Sequence, residues 1–179
     1  MHFSTAVTGR EDAILDLFKA SFTASEGPEE GALIAGLVRN LLSNTPKPDR
    51  RVVTAEARGR VVGGCVFSRL IYANDKRTVF VLAPVAVASD LQRQGIGQQL
   101  LTHGLAIMRE AGVDIVMTYG DPAYYAKVGF QPIREADAPA PFPLTQPEGW
   151  QGQSLTAQTL TPLQGPSRCV PALNQAVFW

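Results

Sequence analysis

The amino-acid sequence predicts an α/β (α+β) fold, with helices packed around a strand-rich middle. Three observations carry this expectation. Apolar residues recur at helical spacing in three separate stretches, near residues 11–22, 29–44 and 95–111. Between the second and third stretches lies a valine-rich hairpin pattern, followed by an almost wholly apolar segment at 77–89. A loop with two glycines then joins that segment to the third helix.

The elements follow in order. In "TGREDAILDLFKASF", Thr8-x-x-Glu11 has the form of a capping box, and Ile14, Phe18 and Phe22 recur on one face. Gly27-Pro28 breaks that helix. "EEGALIAGLVRNLLSN" then places Leu33, Ile34, Leu37, Val38, Leu41 and Leu42 on one side of a second. Strands are expected near 51–57 and 61–71, around a turn at Arg58-Gly59-Arg60. The segment "RTVFVLAPVAVAS" reads as a central strand covered on both faces. Pro84 inside it cannot donate to a ladder, so an irregularity is expected there. The helix after the loop carries Gly97 and Gly104 in its apolar half, where they would let it approach a sheet closely. "VDIVMTYG" reads as another strand. Asp121-Pro122 has the form of a helix start, and Gly129 can stop that short helix. Eight of the 13 prolines lie from Pro132 onward. The tail is therefore mostly loop, with "QSLTAQTLT" as the one further strand expected.

Composition narrows the function classes. Lys+Arg and Asp+Glu balance at 16 each, which gives no general electrostatic case for nucleic acid or an anionic membrane. The two cysteines, Cys65 and Cys169, fit no metal-ligand spacing, so no metal is expected. Cys65 sits in an apolar run and is expected to be a buried free thiol, in a reducing, cytoplasmic setting. The start "MHFSTAVTGRED" lacks the pattern of a signal peptide. The longest apolar run, 79–88, is too short to span a bilayer.

The loop Gln92-x-x-Gly95-x-Gly97 is the feature with chemical content. A glycine turn that opens a helix leaves several N–H groups unpaired at the positive end of the helix dipole, which suits an anion such as phosphate. Arg93 adds positive charge at the rim. A dinucleotide fold would want a third glycine where Leu100 stands, and a P-loop would want Lys-Ser/Thr where Gln98-Gln99 stand. A tight strand–helix turn with no ligand is the bland alternative.

The same residues resemble motif A of the GNAT superfamily of N-acetyltransferases: "LAPVAVASDLQ", then Gln92-x-x-Gly95-x-Gly97, then "QQLL". "YYAKVGF" is similar to that family's later tyrosine-x-x-x-Gly-Phe signature, and the element order agrees. The resemblance covers about residues 1–133, with 134–179 as a proline-rich extension packed on that core. It implies a mixed sheet, splayed in the middle, that binds acetyl-CoA as co-substrate. Val85, Ala86 and Val87 would offer strand backbone to the pantetheine arm. Gln92, Arg93, Gln94, Gly95, Ile96, Gly97 and Gln98 would form the pyrophosphate loop. Tyr125 stands where the family's general acid stands, and the acceptor would be a primary amine of a small molecule or peptide. The family often forms homodimers.

The family's strand glutamate is absent here. The candidate bases are Glu26, Glu29 and Asp121, or ordered water. The asparagine that many members carry seven residues before the tyrosine is Thr118 in this chain. The missing glutamate keeps a second reading open, a non-catalytic acyl-CoA-binding domain. A nucleotide-binding α/β domain is a third.

Overall fold

The computed structural model describes all residues, Met1–Trp179. In chain order its elements are β1 (His2–Ser4), α1 (Glu11–Glu26), α2 (Pro28–Asn44), β2 (Arg50–Ala57), β3 (Arg60–Tyr72) and β4 (Val79–Val87). Then come α3 (Ile96–Glu110), β5 (Ile115–Tyr119), α4 (Pro122–Tyr125), β6 (Gln131–Pro132), β7 (Trp150–Ser154) and β8 (Ser167–Cys169). The strands form one mixed sheet, hydrogen-bonded in the order β1-β2-β3-β4-β5-β7-β6, with β8 added to β3. Two compact units share these strands: Met1–Phe67 with Pro84–Gly104, and Ser68–Ala83 with Leu105–Trp179.

In the first unit, α1 and α2 are separated as the sequence predicts. Gly27 has φ 101°, which ends α1, and Pro28 supplies the fixed φ that opens α2. The expected capping box does not form. Arg10 occupies the cap position, and no side chain bonds the first turn of α1. Thr8 instead lies in the turn before it, closed by Arg10 N–H to Val7 C=O. The β2–β3 turn has positive φ at both Arg58 (52°) and Gly59 (76°), the conformation that matches the twist of a two-residue hairpin.

β3 is thin where helices press on it. A Cβ on Gly63 would lie 3.2 Å from Ala55 and 3.3 Å from Leu100 of α3. A Cβ on Gly64, on the other face, would lie 3.0 Å from the Phe18 ring of α1. Gly104 meets Phe67 in the same way, at 3.0 Å, which bears out close approach for the glycine in the middle of α3.

In the second unit, β4 runs parallel to β5 from Val79↔Ile115 to Leu82↔Thr118. β7 is antiparallel to both β5 and β6. The strand expected in "QSLTAQTLT" is displaced. β7 begins earlier, at Trp150, and residues 155–163 are not strand. Trp150 is fully buried, donates from Nε1 to Ala138 C=O at 2.8 Å, and meets Trp179 edge to face at 5.9 Å. The segment after residue 134 thus supplies two strands and a large part of this core, despite its prolines.

A charged clasp holds the loop before β4. Arg77 pairs both oxygens of Asp75, at 2.9 and 2.7 Å, and reaches Thr161 Oγ1 and Pro162 C=O at 2.8 and 2.7 Å. The hydrogen bonds from Arg77, chief among the causes, hold the Asp75 carboxyl at about 2 against its ordinary 3.8. Because the folded value is depressed, its contribution to stability is complete above the ordinary value and disappears as pH falls toward 2. Asp75→Asn should therefore cost about 1–3 kcal/mol at neutral pH. In urea unfolding the gap between variant and parent should close as pH falls from about 5 to about 2.

Candidate functional site

β4 changes character along its length. Val79 to Leu82 are buried on both faces, as expected for a central strand, but from Ala83 onward burial alternates: Ala83, Val85 and Val87 are half-buried, Pro84 and Ala86 buried. The ladder with β5 ends at Leu82↔Thr118, two residues before Pro84. Just past the strand, Ala88 N–H bonds to Val62 C=O of β3. Ala88 thus faces β3, and Val87, one residue before it, the other edge. Leu82 C=O also faces that other edge, toward Thr118 of β5, so regular alternation is broken between Leu82 and Val87, on the stretch that holds Pro84. Val87 C=O on that other edge accepts from Ser21 Oγ at 3.0 Å and from Gln92 Nε2 at 3.2 Å.

The loop that follows is strained. Arg93 has φ 63° and Gly95 φ 79°. A non-glycine residue in the left-handed region costs roughly 1–2 kcal/mol, and such outliers gather at functional turns. A Cβ on Gly95 would meet only Gln99 Nε2, at 3.8 Å, so the demand on this glycine is conformational and its outer side is open. Gly95 C=O accepts from Gln99 N–H at 3.1 Å, which makes Gly95 the residue that caps α3. The N–H groups of Ile96, Gly97 and Gln98 then lie in the first turn, where no helical carbonyl reaches them. Gln92, Arg93, Gln94, Gly95 and Gln98 are exposed, while Ile96 and Gly97 are buried. Such a cradle of bare amides at the start of a 15-residue helix suits a diphosphate. All the loop and strand residues expected at the site thus lie together in the first unit.

Tyr125 lies in the second unit, at the end of α4. Asp121 caps α4, its Oδ1 accepting from Ala123 N–H at 2.9 Å, which is the structural role its Asp-Pro sequence suggests. Gly129, at φ 97°, closes the segment in the left-handed conformation. The Tyr125 ring lies over Gly120, whose Cβ would be 2.9 Å from Cε2, and meets Phe130 edge to face at 5.7 Å. Thr118, in the asparagine's place, is fully buried and donates from Oγ1 to Leu82 C=O at 3.0 Å. Glu26 and Glu29 are both exposed, at the end of α1 and the start of α2. His103 is exposed as well and stacks on Phe3 at 4.8 Å.

Cys65 is a free, fully buried thiol whose pKa burial pushes far above the ordinary value. No group of three or more His, Cys, Asp or Glu is placed to hold a metal ion. No helix is long and apolar enough to cross a membrane.

Sequence reasoning missed Ser21 and Gln151. Ser21 was legible in principle, as a polar residue on the buried stripe of Ile14, Leu17 and Phe18. Gln151 gave no signal, because nothing in "GWQGQS" marks a buried polar side chain.

Comparison with known proteins agrees with this architecture. The acetyltransferase (GNAT) domain family model matches residues 48–132. The curated relative YjhQ of Escherichia coli (strain K12), an uncharacterized N-acetyltransferase, is 31% identical over 173 residues, covering 94% of this chain and 92% of its own. The crystal structure of the GNAT family N-acetyltransferase YhbS from Escherichia coli in complex with CoA superposes with TM-score 0.82, at 24% identity over 97% of this chain and 92% of that one. A GNAT family acetyltransferase from Brucella melitensis in complex with acetyl-CoA gives 0.71, at 24% identity over 96% and 97%. At these identities the two structures show a common fold.

Relief of the loop strain is measurable. Arg93→Gly should raise the unfolding free energy by about 0.5–1 kcal/mol, because glycine adopts the left-handed region freely. Urea denaturation of the protein without ligand reads this directly.

Proposed function

We propose, from the premise that the chain belongs to the GNAT acetyltransferase family, that it moves an acetyl group from acetyl-CoA to a primary amine by direct attack. The observation that carries the reading is the turn at Arg93 and Gly95, where two left-handed residues present the bare first turn of α3. These residues fit a diphosphate, and CoA and acetyl-CoA are the ligands held by the two structural relatives described above.

In this reading the amides of Arg93 to Gln98 grip the diphosphate, and the Gln92 side chain braces the loop on Val87. The backbone of Val85, Ala86 and Val87 steadies the pantetheine arm. Acetyl-CoA, when bound, supplies the acetyl group as an activated thioester. A backbone donor near the thioester carbonyl stabilises charge as the amine adds. A primary amine has a pKa of about 10.4, so a base or a water chain must take its proton at neutral pH. Asp121 is engaged as a cap, which favours Glu26, Glu29 or ordered water for that task. In this reading Tyr125 is the general acid that gives its phenolic proton to the departing sulfur. Residues 1–133 form the catalytic core in this reading, and 134–179 the extension that completes its sheet.

Two measurements decide the matter. Titration calorimetry should show CoA binding that Gly95→Val weakens at least about tenfold, since a β-branched residue pays heavily at φ 79°. Tyr125→Phe should lower kcat about 100-fold while leaving the KM for acetyl-CoA within about twofold, the pattern of an interaction made only in the transition state. Absence of CoA uptake would end the proposal. Binding without turnover on any amine would identify an acyl-CoA-binding domain instead.

A further inference from the structure

Gln151 stands out among the buried polar groups. It lies on β7 opposite Thr118 of β5, and its side chain is fully buried. Its Nε2 donates to Gly120 C=O at 3.3 Å and to Gly149 C=O at 3.2 Å. Two carbonyl acceptors fix which end of the amide is nitrogen, because the flipped group would set oxygen against oxygen. Its Oε1 is then buried without a hydrogen-bond partner. A buried amide oxygen left unmet destabilises the fold, and an apolar residue of similar size would avoid that cost. What the side chain supplies against that cost is the pair of carbonyl contacts made by its nitrogen.

The carbonyl that Gln151 holds leads directly to the tyrosine. Gly120 is tied at both ends, its N–H to Gly149 C=O at 3.0 Å and its C=O to Gln151. Gly120 immediately precedes Asp121, the cap of α4, and its bare Cα is the surface on which the Tyr125 ring rests. Gln153, two residues along β7 and so on the same face, lies against Gly129 at the other end of the segment. A Cβ on Gly129 would be 2.7 Å from Gln153 Nε2. A directed chain secures the preceding residue. Gln146 N–H donates to Tyr119 Oη at 2.7 Å, Tyr119 to Thr145 Oγ1 at 3.0 Å, and Thr145 to Trp179 C=O at 3.2 Å.

We infer that Gln151 is a positioning residue for Tyr125: by clamping the carbonyls of Gly120 and Gly149 together, it sets the start of α4 and hence the place of the phenol. This rests on the reading of Tyr125 as the general acid. It also gives the segment after residue 134, through β7, a share in placing the phenol.

The test has two arms. In protein labelled with carbon-13 at the tyrosine ζ position and free of ligand, Gln151→Met should shift the Tyr125 resonance, identified by its loss in Tyr125→Phe. It should also speed hydrogen exchange at the Ala123 amide about tenfold. In the second arm, thiol release from acetyl-CoA is followed with phenylethylamine, spermidine and a peptide N-terminus as probe amines. Gln151→Met should lower kcat at least about tenfold in the parent but less than about twofold in the Tyr125→Phe background. Gln151→Leu, uncharged and shorter than methionine, is read in the same way if the methionine variant does not fold. An unmoved Tyr125 resonance, or equal losses in both backgrounds, would overturn the positioning role. If Tyr125→Phe itself leaves kcat unchanged, the general-acid reading fails, while the resonance and exchange arm still decides whether Gln151 places Tyr125.

Discussion

Everything at the candidate site follows from where β4 stops pairing with β5. The ladder ends at Leu82↔Thr118, and Thr118 closes it with a hydroxyl on Leu82 C=O. Pro84, with no N–H to give, stands just beyond. From there the outer edge of β4 is held by side chains, with Ser21 and Gln92 both donating to Val87 C=O. A strand released from one neighbour is free to offer its backbone to something else, and its half-buried Val85 and Val87 lie on the stretch where this happens.

The strain downstream is the counterpart of that freedom. Between Val87 and Ile96 the chain must leave a strand and enter a helix with its first amides uncovered. It does so with Arg93 and Gly95 both in the left-handed region. Glycine accepts this without penalty, whereas arginine does not. The structure therefore stores energy at the position where the sequence also places a cation.

Much of this was legible in the sequence, because helical periodicity and turn chemistry are local. Leu37, Val38 and Leu41 announced α2, Arg58-Gly59 announced the hairpin, and Asp121-Pro122 announced the cap of α4. The loop at Gln92–Gly97 could be read for the same reason, since its glycines sit in short-range relation to a strand and a helix. The failures were non-local. β1 and β8 have three residues each, too few for any period to show. β7 reads "WQGQS", with glutamines where alternation would want apolar residues; Gln151 bonds the carbonyls of Gly120 and Gly149, and Gln153 lies against Gly129. Thr8-x-x-Glu11 had the right letters for a capping box, yet the turn around Gly9 took Thr8 away from the helix end. The two packing units also cut across β3, β4 and α3, a division that no local signal records.

Gly63 and Gly64 carry a mechanical consequence for the first unit. With no side chain on either face at two successive residues, the sheet there has only the depth of a single peptide chain. The Phe18 and Leu17 side chains of α1 and the Leu100 and Ile96 side chains of α3 press on it from opposite sides, with nothing compressible between. Proteins of close-packed interior transmit displacement where no void absorbs it. A side chain at either position would have to displace one of these helices, so the two glycines set how deeply α1 and α3 sit on the strand. The spacing between the helix that bonds the end of β4 and the helix that begins at Ile96 is thus fixed by the bare backbone of two residues.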